Sequence, residues 1–113
     1  MTIQIHKHTV GDTLTPMLWS AIHGDGSPVD LTGLDVKFRM VSEDGTVIVD
    51  DDDTGITVTE AEDGEGQYDF QPADVEAAGT FYAWIRVYDP VSGEFDTYPI
   101  GGRKWAIVID EAG

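Results

Sequence analysis

Apolar and polar side chains alternate with a period of two along most of the chain, the pattern of strands with one buried face. Ile3 and Ile5 alternate with Gln4 and His6, predicting a first strand that ends near Val10-Gly11-Asp12. Residues 13–23 predict a second, in which Pro16 marks an edge or a bulge. Leu34, Val36, Phe38 and Met40 alternate with Asp35, Lys37 and Arg39, and Asp44-Gly45 turns this strand into Thr46-Val47-Ile48-Val49. An acidic loop, Asp50–Asp53, precedes Ile56-Thr57-Val58-Thr59. A Gly64-Glu65-Gly66 turn then leads to Gln67-Tyr68-Asp69-Phe70. The longest strand runs from Thr80 to Asp89, Pro90-Val91-Ser92-Gly93 returns it to Glu94–Tyr98, and Gly101-Gly102 opens a last strand, Lys104–Asp110. Only Pro72–Gly79 reads as helical, with Pro at the first helical position and Gly past the end, and it is one or two turns long. Short strands at near-even spacing predict a β-sandwich or barrel.

Composition agrees. The 20 Val and Ile and 11 Thr outnumber 4 Leu, and 15 Asp outnumber 7 Glu. Branched side chains fit a pleated surface, and Asp and Gly fit turns, so the chain reads all-β. Its 113 residues make one domain, 1–113, with residues 1–10 as an N-terminal strand or arm. The absence of Cys excludes a disulfide framework, thiol catalysis and Cys-ligated metal. No run reaches membrane-spanning length, and the N-terminus lacks the basic start of a signal peptide.

Three stretches, taken in order, resemble the immunoglobulin-like N-terminal domain of phage baseplate upper proteins. They are Val29-Asp30-Leu31-Thr32-Gly33-Leu34 running into Val36–Met40, then Asp44–Val49, and then Gly66–Pro72 continuing through Ala78–Trp84. Gly11–Pro16 fits the same pattern, so the resemblance covers about residues 10–110. It implies an immunoglobulin-like β-sandwich of about seven to nine antiparallel strands. A short helical turn near residues 72–78 belongs to it. It also implies a non-enzymatic virion structural protein of a tailed phage. Such a module docks on the tail or baseplate through other virion proteins and copies of itself, and is assembled in the host cytoplasm. A capsid decoration or neck protein is the alternative within that class.

The residues themselves supply the candidate sites. Phe81, Ala83, Ile85 and Val87 form one face of the longest strand, and Tyr82, Trp84, Arg86 and Tyr88 the other. A sandwich strand buries one face, and Tyr, Trp and Arg dominate the energetic centres of interfaces. This second face is therefore the candidate partner-binding site; the competing reading is a face under a loop, with one tyrosine as a buried corner residue. The Asp50–Asp53 run fails as an EF-hand, because its fifth position is Thr54 and its twelfth Ala61. A looser cation site would draw on Asp51, Asp53, Glu60 and Glu62; a solvated loop is the plainer reading. With calcium, and with Trp19, Trp84 and Trp105 as a sugar platform, the chain would be a carbohydrate-binding or adhesion module, the alternative outside the structural class. His6 and His8 share a strand face and read as surface histidines rather than metal ligands. Lys37 and Arg39 point outward among acids, where cross-strand ion pairs are worth little each, and ordinary solvated strand residues are the better reading. No Gly-x-Ser-x-Gly, phosphate loop or thiol nucleophile is present, so no catalytic residue and no cofactor is expected.

Charge adds one more constraint. Twenty-two acids against six Lys and Arg give −16, which disfavours nucleic acid and anionic membranes. Residues 51–79 hold ten of the acids and no Lys or Arg. One lobe should therefore be acidic, with contact made through the remainder and the lobe facing solvent or a basic neighbour.

Overall fold

The computed structural model describes residues 5–99 and 104–111. Their nine strands are β1 (Ile5–Thr9), β2 (Met17–Ser20), β3 (Asp35–Ser42), β4 (Val47–Asp52), β5 (Ile56–Glu60), β6 (Glu65–Tyr68), β7 (Gly79–Tyr88), β8 (Phe95–Tyr98) and β9 (Trp105–Asp110). Residues 1–4 of the first predicted strand and the Gly101-Gly102 turn lie outside the described residues. The large sheet has the order β1-β9-β7-β3-β4, and the small one β2-β6-β5. Strands β9 and β8 share one edge of β7, β9 along Gly79–Ala83 and β8 along Ile85–Tyr88. All ladders are antiparallel except β1 on β9, which is parallel, with Ile5 opposite Ala106 and Thr9 opposite Asp110. Alternation fixes which face of a strand is buried but not which way a neighbour runs, so this exception has no signal in the pattern. The N-terminal strand pairs with its own chain.

The sandwich closes over the predicted apolar faces. Val36, Phe38 and Met40 of β3, Phe81, Ala83, Ile85 and Val87 of β7, and Trp105, Ile107 and Ile109 of β9 are buried. They meet Met17, Trp19 and Tyr68 of the small sheet. Phe38 stacks on Tyr68 across the two layers, with ring centroids 3.8 Å apart.

Three local readings change and a fourth, the short helical turn, is sharpened. The second strand is shorter than residues 13–23, because Leu14 is exposed and only Met17–Ser20 is laddered to β6. Gly64-Glu65-Gly66 is not a turn throughout: a 3-10 turn, Ala61–Asp63, ends at left-handed Gly64, and Glu65 and Gly66 already belong to β6. Gly66 lies opposite Trp19, whose indole fills the space a side chain would take. The helical segment is a single 3-10 turn, Pro72–Val75, in which the Asp74 carboxylate accepts from the Gln71 backbone N–H. The Asp50–Asp53 run is not a free loop, since β4 extends through Asp52, with Asp51 at φ 49 and a shifted register against β3. Two arginines on the outer face of the sheet account for that.

Candidate functional site

The outer face of the large sheet is built by strand register. Residues 35, 37 and 39 of β3 alternate with its buried positions, and the ladder sets Lys37 opposite Arg86, Arg39 opposite Trp84 and Asp35 opposite Tyr88. Tyr82, Trp84, Arg86 and Tyr88 thus form one row, each half-buried, flanked by β3 on one side and by β8 and β9 on the other. The alternative of a buried corner tyrosine does not apply to this row, because the fully buried tyrosines are Tyr68 and Tyr98.

Cations lie over these rings. The Lys37 ammonium lies 5.3 Å from the Tyr88 ring centre, and the Arg39 guanidinium 5.9 Å from that of Trp84. Lys104 reaches both Tyr82 and Trp84, at 5.9 and 5.7 Å, and Arg86 lies 5.7 Å from the Phe95 ring. The ring faces attract these charges, while the alkyl stems cover apolar surface. The arginines are tied further. Arg39 donates to Asp50, and Arg86 donates to Asp51 at 3.1 Å. Lys37 and Arg39 are thus not simply solvated: Arg39 has a cross-strand ion pair and Lys37 an aromatic partner. A strand with two arginines beside it holds two consecutive aspartates that would otherwise belong in a turn.

Lys7 occupies an outer-face position as well, opposite Val108 on β9. Among the described residues, every Lys and Arg is therefore on or beside this face. Sequence reasoning found the β7 row but missed Lys104, Phe95, Asp50 and Asp51. The outward alternation of Lys37 and Arg39 was the signal that could have extended the row across β3.

The remaining candidates fall elsewhere. Asp51 is committed to Arg86, whereas Asp53, Glu60 and Glu62 are exposed. No group of three or more His, Asp or Glu side chains converges among the described residues. Of the three tryptophans, Trp19 and Trp105 are buried at 2% and 3% exposure, so the sugar platform is absent and only Trp84 reaches the surface. His6 and His8 are not surface residues: both are half-buried, and His8 meets the Phe70 ring edge-on at 4.5 Å.

Those histidines carry a pH prediction. Burial, and for His6 also the neighbouring His8, holds both imidazoles below their ordinary value of 6.5, with Asp12 offsetting part of the effect at His8. Below that value the unfolded chain binds protons that the folded one refuses. Stability is therefore undiminished above it and declines as pH falls toward the lowered folded values. Thermal melts between about pH 7 and 5 should show this slope, and a His6→Gln/His8→Gln variant should flatten it. An unchanged slope in the variant would assign the loss to other groups.

Comparison with known proteins follows the same lines. The N-terminal domain of phage TP901-1 ORF48 has a similar fold, with a TM-score of 0.60 at 14% identity over 96% of this chain and 85% of that one. No curated protein matches the chain. The model of the BppU N-terminal domain, the first domain of phage baseplate upper proteins, matches residues 2–98 and supports a structural role in the phage tail or baseplate. The two-layer fold and the matched span agree, and the chain belongs to the BppU N-terminal domain family.

Proposed function

We propose that this chain is a non-enzymatic virion module, a single domain that docks in the tail or baseplate, on other structural proteins and on copies of itself, through the outer face of its large sheet. Tyr82, Trp84, Arg86 and Tyr88 are its anchors. The observation that carries this reading is the row itself: four half-buried side chains of the types that dominate interface energies, lying on a sheet face that no other strand covers among the described residues. The bound cations hold the rings in place before a partner arrives, which lowers the ordering cost of docking.

The test is assembly. In a phage deleted for this gene and complemented in trans, Trp84→Ala/Arg86→Ala protein should be soluble and melt near the wild-type temperature. It should be missing from purified particles, with affinity for them reduced ~30-fold or more. Incorporation at wild-type level would sink the proposal.

A further inference from the structure

The two sides of the sandwich differ in charge. The large sheet's outer face holds Lys7, Lys37 and Lys104, none of them in an ion pair among the described residues, beside the neutralised Arg39 and Arg86, with Asp35 and Asp110 at its ends. The opposite lobe consists of the small sheet and its two 3-10 turns. It exposes Glu60, Glu62, Asp63, Glu65, Asp69 and Glu76 and contains no Lys or Arg between residues 51 and 79. Both ion pairs in the described structure lie on the large sheet, so the lobe's charge is uncompensated there. A second feature stands out in the β5–β6 ladder, where Glu60 lies directly opposite Glu65. Like charges facing each other across strands repel, and no ion pair among the described residues relieves this one.

We infer that the occupant of the cation–aromatic face is the acidic lobe of a second copy, in a head-to-tail contact that sets Lys37 and Lys104 against the next copy's Glu60 and Glu65. This rests on the docking reading above and adds a partner to it. Charge selects the arrangement. Lobe against lobe would oppose carboxylates, and the centre of one face against another would oppose Lys37 and Lys104, whereas that centre against the lobe brings these lysines to uncompensated carboxylates. A Debye length of ~8 Å at physiological salt confines the repulsion between two acidic copies to short range, so the facing patches decide the contact. Because the two patches differ and lie on opposite sides of the sandwich, the contact is heterologous and extends into a ring or a stack.

Charge exchange tests it. Wild-type protein should associate reversibly in sedimentation velocity, over a concentration series reaching the millimolar range. Lys37→Glu/Lys104→Glu and Glu60→Lys/Glu65→Lys should each weaken association ~10-fold or more. An equimolar mixture of the two variants, or one chain carrying all four changes, should recover it. Wild type that stays monomeric throughout, or a mixture no more associated than its components, overturns the inference. The docking reading is judged separately: if wild type is monomeric but the Trp84→Ala/Arg86→Ala variant is still excluded from particles, that reading stands and the face docks on another protein.

Discussion

Gly66→Ala is expected to cost the protein ~3 kcal/mol or more and to lower its melting temperature by upward of ~10 °C. Gly66 sits in the central strand of the small sheet, between β2 and β5. A Cβ placed there would lie 2.2 Å from Cζ2 of Trp19, 2.7 Å from its Cε2 and 2.5 Å from the Thr57 carbonyl oxygen. The indole is buried at 2% exposure and cannot swing outward, and the carbonyl belongs to the neighbouring strand, so neither can yield cheaply. Gly45→Ala is the control. Its φ of 90 strains an alanine, but nothing lies within 4 Å, and the cost should stay near ~1 kcal/mol. Chemical denaturation of both variants decides the matter. Similar midpoints for the two would show that the small sheet relaxes around Trp19.

Asp74→Ala is the second large effect, at ~3 kcal/mol. Asp74 is a buried carboxylate that accepts from the Tyr68 hydroxyl at 2.7 Å and from the Gln71 backbone N–H at 2.8 Å. Burial, and then the bond to Asp74, pushes the Tyr68 phenol far above its usual range, so it stays protonated and donating. Alanine removes the acceptor of the part-buried Gln71 N–H and leaves the Tyr68 hydroxyl only a 3.5 Å contact with Asp52, next to the ring that stacks on Phe38. Asp74→Asn keeps one acceptor oxygen and should lose about half as much. The coupling is measurable, because Tyr68→Phe should cost little in the Asp74→Ala background and clearly more in the wild type. Equal costs in the two backgrounds would mean that the bond contributes nothing to stability.

Much of this architecture was legible beforehand, because period-two alternation reports burial directly. The faces of β3 and β7 follow from Val36–Met40 and Phe81–Val87 without exception, and the aromatic row opposite follows from the same count. What the pattern hid was information held between strands. Gly66 reads as a turn residue because its partner Trp19 is 47 positions away, and the need for a small residue arises only where the two ladder together. Asp50 and Asp51 read as a loop because the arginines that hold them come from β3 and β7. His6 and His8 read as surface residues because parallel pairing on β9, which turns both inward and sets His8 against Phe70, leaves no local trace. The docking row was found and its cationic frame was not, since Lys104 joins it from a third strand's edge.

The parallel ladder between β1 and β9 also has a mechanical side. The chain enters the large sheet at the start of β1 and leaves it at the end of β9, and the two strands run the same way, side by side. Tension applied through those two points pulls the strands past each other along their length. Their hydrogen bonds then bear load together in shear rather than opening one after another, as they would in a zipper. Load carried through the start of β1 and the end of β9 therefore meets the sheet in the direction in which it resists best.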